Sequence, residues 1–348
     1  MKFVGRSLAI LFFLLKVPSL HGQVVQPDAR VTLLAFGDVN LGRTVGQELL
    51  RGRLDYPFQF VRDTLRGSDV VFVNLESQLS DQNGLTQHPK SNLIFAGPPS
   101  GAACLEQANV SIVSTGNNHA FDFGMKALRE TILNLQGSGI AFTGTSLDSE
   151  GTCIPAVIVK KGIRIGFLAY TQFVNIRGTW EGRIAVFDSV RAKHDVELLR
   201  PKVDLVVVSY HGGAEYTNRP STKIQREFRS LIESGADIIL GHHPHFVQGI
   251  ESYDGKLIFY SLGNFVFYQP QLELTQYGLG VEFLLAKRGS KVQVEQVKLI
   301  PLHAGLQPSF KLTAEEQRSF LERVKRLSTA RLVETNGALF IKVRQDND

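Results

Sequence analysis

The tightest constraint on the fold is a series of short runs that are apolar without alternation: Val31 to Phe36, Asp69 to Asn74, Ser111 to Thr115, Ile163 to Tyr170, Leu205 to Tyr210 and Asp237 to Leu240. A strand that is apolar at successive positions buries both faces, which predicts a sheet covered on each side by other layers. Helical patterns fall between the runs. Gly124 to Leu135 has apolar residues at helical spacing, Asp188 to Leu199 opens on Asp188 as a candidate N-cap, and Ser221 to Ser234 opens on Ser221 and closes at Gly235. Alternating strand and helix predicts an α/β class. From Lys256 the pattern becomes strands without helices, Lys256 to Tyr260, Gly278 to Ala286 and Lys291 to Ile300, which reads as an antiparallel closing section. After Pro301, a helix from Thr313 to Leu327, with Thr313 and Glu316 placed for a capping box, and a strand near Ala338 to Val343 form a C-terminal helix-strand appendage over residues 302–348.

With 348 residues, 43% of them hydrophobic, the chain can bury a large core, and disorder is excluded. Its formal charge of +5 is spread along the sequence, with no aromatic-interleaved basic stretch of the kind that binds nucleic acid, so no nucleic-acid partner is expected. Residues 1–22 have the layout of a signal peptide: Lys2 and Arg6, the apolar run Leu8 to Leu15, then Lys16, Pro18, Ser19 and Gly22. The run is shorter than the roughly 20 residues that span a bilayer. Export to the periplasm, cell envelope or extracellular space is expected, through a cleaved signal peptide or an uncleaved N-terminal anchor. No cysteine lies near this segment, which excludes a lipoprotein anchor. Cys104 and Cys153, the two cysteines, are free to pair in an oxidising compartment or to remain buried thiols.

Polar clusters follow the apolar runs directly, at the carboxyl ends of strands where open α/β sheets hold their ligands. Val31 to Phe36 leads into Gly37-Asp38-Val39-Asn40-Leu41-Gly42-Arg43, and Val70 to Val73 into Asn74-Leu75-Glu76. Ser111 to Ser114 leads into Gly116-Asn117-Asn118-His119 and on to Asp122, and Leu205 to Ser209 into His211-Gly212-Gly213 with Glu215. Ile238 to Leu240 leads into Gly241-His242-His243-Pro244-His245, which holds three of the nine histidines. Taken singly, Asp38 and the asparagines suit turns, and a lone histidine is more often structural. Together they form a mixed oxygen and nitrogen donor set without thiolate, suited to Mn, Fe(II) or Zn rather than Mg. The donor count exceeds the four positions of one tetrahedral ion, so one or two divalent ions are expected.

These residues carry a resemblance to the CapA family of bacterial capsule or poly-γ-glutamate biosynthesis proteins, whose fold is similar to the calcineurin-like metallophosphoesterases. It spans residues 31–301 and rests on six motifs in family order: G-D-V-N-L-G-R, V-N-L-E, G-N-N-H-A-F-D, H-G-G-A-E-Y, G-H-H-P-H-F-V-Q and S-L-G-N-F. The resemblance implies a calcineurin-like α/β sandwich and metal ligation by Asp38, Glu76, Asn118, His211, His243 and His245. It makes His119 the proton donor and His242 a supporting residue, while Asn40, Arg43, Asp122, Glu215 and Asn264 become residues behind the ligands or against the substrate. Asn40 stands where the phosphoesterases have a ligand histidine, and Glu76 where they have an aspartate. The resemblance implies hydrolysis with metal-activated water, of phosphoester type or at γ-glutamyl amides. A non-catalytic metal- or polyanion-binding role in a polymer synthesis or export complex is the alternative. Anionic polymer or phosphoester substrates follow, with Gln82 to Phe95 and Gln172 to Arg183 as the segments expected to wall the site.

Overall fold

A computed structural model describes residues 29–149, 154–335 and 337–342. The segment 1–22 expected to be a signal peptide, Cys153 and Val343 lie outside the described residues. In chain order the first half runs β1 (Ala29–Val39), α1 (Arg43–Leu50), α2 (Arg62–Arg66), β2 (Val70–Leu75), β3 (Gln78–Leu79), β4 (Ala96–Gly97), α3 (Gly101–Gln107), β5 (Ile112–Ser114), α4 (Gly124–Gly137), β6 (Ala141–Thr143), β7 (Ala156–Lys160) and β8 (Ile163–Thr171). The second half runs α5 (Ser189–Leu199), β9 (Leu205–His211), α6 (Thr222–Glu233), β10 (Ile238–His242), β11 (Ile250–Tyr253), β12 (Lys256–Phe259), β13 (Asn264–Val266), β14 (Tyr277–Arg288), β15 (Lys291–His303), α7 (Ala314–Leu327), β16 (Leu332–Thr335) and β17 (Ala338–Ile341).

The strands form two main sheets. One has the order β16-β17-β15-β14-β1-β2-β5-β6, with β13 also pairing β1, and the other β11-β12-β10-β9-β8-β7. Within each central strand, neighbouring side chains enter different cores. Val31, Leu33 and Ala35 of β1 meet Leu205 and Val207 of β9 and Ile238 and Leu240 of β10 between the sheets. Leu34 and Phe36 turn outward with Val45 and Leu49 of α1 and Ala102 and Leu105 of α3. On the far side, Val206, Val208 and Ile239 pack with Ala192 and Val196 of α5 and Phe228 and Leu231 of α6. The expected α/β sandwich is therefore built as helix, sheet, sheet, helix. The unbroken apolar runs arise because one face of each strand meets the second sheet and the other meets helices.

The antiparallel closing section is the hairpin of β14 and β15, which adds to β1. The Lys256 strand does not belong to it: β12 runs parallel to β10 in the other sheet and is antiparallel only to β11. At the C-terminus, α7 opens on the Thr313–Glu316 capping box. It buries Phe320, Leu321 and Val324 in the core between the sheets, and β17 extends the first sheet beside β15. Cys104 is buried on α3, where burial pushes its thiol far above the ordinary range.

One irregularity positions the site. Ala35 pairs with Phe72 but Asp38 pairs with Asn74, so β1 carries one residue more than β2 and the bulge re-aims Asp38. Gly37 sits inside the bulge, where a Cβ would stand 1.8 Å from the Gly263 carbonyl oxygen. Gly37→Ala is expected to destabilise the fold by about 3 kcal/mol, since the opposing atoms are backbone and cannot turn aside as a side chain would. A denaturant midpoint equal to that of the unaltered protein would show that the close approach is not required.

Candidate metal centre

The carboxyl ends of parallel strands meet at one rim of the sandwich. Asp38 lies at the end of β1, Glu76 just beyond β2, Asn118 and His119 beyond β5, His211 at the end of β9, and His243 and His245 beyond β10. All are buried, none more than 6% exposed. One ligand atom each from Glu76, His211 and His243 lies within 4.8 Å of the others, and the same holds for Asp38, Glu76 and His245. Glu76 is common to both groups.

Hydrogen bonds orient the rings. Asn74 Nδ2 donates to Asp38 Oδ1 at 2.8 Å and lies 3.0 Å from His211 Nδ1, turning the other ring nitrogen toward Asn118 Oδ1 at 2.7 Å. His245 Nδ1 lies 2.9 Å from Asn264 Oδ1. The Asn264 amide nitrogen donates to Gln269 Oε1 and the Thr275 carbonyl, which fixes Asn264 with its oxygen toward the ring. With its Nδ1 proton held in this way, His245 keeps Nε2 available as a ligand. His119 is built differently. Its Nδ1 is 2.8 Å from Asp122 Oδ2, its ring lies against Phe95 at 4.2 Å, and its Nε2 is 3.7 Å from Glu76 Oε1.

The electrostatics fit a divalent ion. Burial, and after it the Asp38 charge, pushes the Glu76 carboxyl well above the usual range. Burial also acts to raise Asp38, but the imidazoles of His242 and His245 outweigh it and hold that carboxyl well below the usual range. Burial lowers His211 well below its ordinary value, and burial with neighbouring His245 pushes His243 down to about 3. Neutral imidazoles are the form that ligates metal. Both Glu76 oxygens and His243 Nδ1 are buried without a hydrogen-bond partner among the described residues. A buried carboxylate without a partner is costly, and a cation among these rings supplies what it lacks. The backbone is also strained here: His243 has φ +96° and His245 φ +57°. Such conformations cost about 1–3 kcal/mol each and persist where the surroundings impose them. Gly241 before them approaches the Tyr260 carbonyl so closely that a Cβ would stand 2.1 Å from its oxygen.

The remaining sequence candidates fall around this centre. Asn40 is buried, and its Oδ1 accepts from the Gly42 backbone N–H at 2.8 Å, so its carbonyl is engaged in its own loop. His242 lies behind Asp38, with Nδ1 3.5 Å from Asp38 Oδ1 and its ring near Phe72. It enters neither ligand group. Glu215 is 45% exposed, 4.0 Å from His245 Nε2 at the edge. Arg43 stacks over Phe95 and Phe267. Both expected wall segments flank the site, through Phe95 beside His119 and Phe173 at 5.2 Å from His243. Sequence reasoning missed Asn74, the clamp between Asp38 and His211. Strand periodicity offered the signal, because Asn74 shares a face of β2 with Phe72. It also missed Asn175, whose Oδ1 accepts from Asn118 Nδ2, and Gln269 behind Asn264; neither stands in a recognisable motif.

Comparisons with known proteins agree with the motifs. Residues 32–269 match the family model for the bacterial capsule synthesis protein PGA_cap. The chain is 30% identical to capsule biosynthesis protein CapA of Bacillus anthracis over 79% of this chain and 68% of that protein. It is 31% identical to PGA biosynthesis protein CapA of Bacillus subtilis over 73% and 67%. Among solved structures it is similar to the calcineurin-like phosphoesterase YfkN from Bacillus subtilis, with 14% identity and a TM-score of 0.40 over 86% of this chain and 99% of that one. The family match covers well over half of the sequence, and the chain belongs to the bacterial capsule synthesis protein PGA_cap family.

Proposed function

We propose that this protein is a metal-dependent hydrolase of capsule or poly-γ-glutamate synthesis, exported and acting on an anionic polymer or phosphoester within an envelope polymer-synthesis complex. The observation that carries the reading is Glu76, a buried carboxylate that has no hydrogen-bond partner among the described residues and is shared by two ligand groups. Asp38, Glu76, Asn118, His211, His243 and His245 would hold one or two ions, and their oxygen and imidazole donors suit Mn, Fe(II) or Zn over Mg. When bound, such ions polarise the scissile oxygen and lower the pKa of water. The protein's own contribution is orientation and proton delivery. Asp122 holds His119 Nδ1, which leaves Nε2 directed at the ligand cluster, where a leaving group would take a proton. The names of the Bacillus relatives support the polymer, and the layout of residues 1–22 supports export.

The engagement of Asn40 with Gly42 favours a second reading, in which the first metal position is weak and the centre binds a metal or polyanion without turnover. Elemental analysis of the purified chain, with assays on p-nitrophenyl phosphoesters and on γ-linked glutamate oligomers, separates the two. The hydrolase reading expects bound metal and turnover that a chelator removes and Mn2+ restores. Stoichiometric metal without turnover on either substrate favours the binding role, and a chain that takes up no metal refutes the hydrolase reading and leaves only polyanion binding.

A further inference from the structure

We infer that Arg43 is the substrate-anion clamp of this centre, presenting its guanidinium to a carboxylate or phosphate group next to the scissile bond. This rests on the proposed metal-dependent reading for its location, but not for its chemistry. Arg43 is partly buried at the start of α1, immediately after the loop that carries Asp38 and Asn40. Its guanidinium carbon lies 4.5 Å from the centroid of Phe95 and 5.6 Å from that of Phe267. Those rings are the flanks of the site, since Phe95 packs on His119 and Phe267 lies 5.0 Å from His245. The guanidinium is thus held beside the ligand cluster between two aromatic rings that stand nearly perpendicular to each other, at 87°.

Its bonding is incomplete. One terminal nitrogen donates to the Asn92 carbonyl oxygen, and Nε is buried without a hydrogen-bond partner among the described residues. No carboxylate of the described residues forms an ion pair with it, although Glu76 and Asp122 are near enough to act on its charge. A partly buried guanidinium is ordinarily paired, because desolvating its charge is costly. Here an external oxyanion is the missing partner, and the planar fork matches carboxylate or phosphate through two parallel hydrogen bonds.

The backbone is built to hold this orientation. Arg43 has φ +52°, a left-handed conformation uncommon for a residue with a long side chain. Thr86 imposes it from both ends: the Arg43 N–H donates to the Thr86 carbonyl at 2.8 Å, and the Thr86 hydroxyl donates to the Arg43 carbonyl at 2.8 Å. Strain maintained by a dedicated clamp, at a residue beside a ligand cluster, is the pattern of a preorganised binding group.

The test is calorimetric titration of the full chain, metal content measured beforehand, with inorganic phosphate in one arm and a γ-linked glutamate trimer in the other. Arg43→Lys keeps the charge and loses the fork, while Arg43→Met loses both. The expected result is a Kd at least about tenfold weaker in Arg43→Lys and weaker still in Arg43→Met, with metal content unchanged, in whichever arm carries the natural anion. Tighter binding of phosphate marks a phosphoryl group, and tighter binding of the trimer marks a polymer carboxylate. Should Arg43→Met fail to fold, the Arg43→Lys comparison decides. Equal Kd values in unaltered protein and Arg43→Lys, or no anion binding by the unaltered protein, overturn the inference. Absence of metal refutes only the metal reading, because guanidinium binding of an anion is still measured.

Discussion

Glu76→Gln is expected to stabilise the metal-free protein and to remove most of the stabilisation that a divalent ion confers, so that one substitution acts with opposite signs in the two states. Without metal, the native state must keep a buried carboxyl that lacks a hydrogen-bond partner among the described residues. Burial raises its pKa well above the usual range. The native state therefore binds more protons than the unfolded chain once pH exceeds the unfolded Glu value of about 4.3, and stability falls with rising pH until the native pKa is reached. Each pH unit in that window costs about 1.4 kcal/mol. The amide has no such titration, so its advantage is absent near pH 4 and widens above it. The opposing shifts at Asp38, His211 and His243 are present in both proteins and largely cancel in the difference. With metal the order reverses. An ion at a thousand times its Kd stabilises the unaltered protein by about 4 kcal/mol, and the variant, lacking the shared carboxylate, gains far less. Denaturant melts in chelator and in Mn2+ between pH 5 and 8 read both effects. A Glu76→Gln protein less stable than the parent in chelator would show that the carboxylate is satisfied in a way the geometry does not reveal.

The second large effect is expected at His119. His119→Gln should lower turnover by about 10²- to 10⁴-fold, the usual contribution of a positioned acid or base, with metal content unchanged. Its ring stands close to Glu76 without entering either ligand group, and its Nδ1 is committed to Asp122. Asp122 also accepts from the Phe95 N–H at 3.0 Å, so the dyad and the aromatic wall share one anchor. Asp122→Asn should reduce turnover less than loss of the imidazole, because the ring remains against Phe95. Elemental analysis beside the kinetic assay decides the matter: loss of metal in His119→Gln would move this residue from proton donor to ligand.

The main strands could be read from sequence because apolar residues at successive positions leave few alternatives. Which sheet each strand joins could not be read in the same way. Leu33 and Leu34 are both fully buried, yet one faces the second sheet and the other faces helices, and periodicity does not distinguish the two coverings. The helices α1 and α3 escaped notice because they are short and neither N-cap side chain makes a capping bond. By contrast α5, α6 and α7 were located through Asp188, Ser221 and Thr313, each of which caps as its residue type suggests. The centre was visible as a concentration of donors after strands. Division of labour among neighbouring histidines was not, since His242 and His243 differ only in which way a strained backbone turns them. Asn40 shows the same limit: its residue type is in the sequence, but the bond to Gly42 that occupies its oxygen appears only in three dimensions.

The pairing of β1 also sets when this centre can exist. Val31 pairs with Leu285 and Asp38 with Asn264, so the strand bearing the first carboxylate is completed by segments made much later. Closing so long a loop adds little to the equilibrium cost, which grows only logarithmically, but distant pairings are slow to form. During synthesis Asp38 and Glu76 emerge early and stay hydrated until the β14 segment arrives. If the centre takes up an ion as proposed, acquisition would be a late event, and the ion would be drawn from whichever compartment folding finishes in.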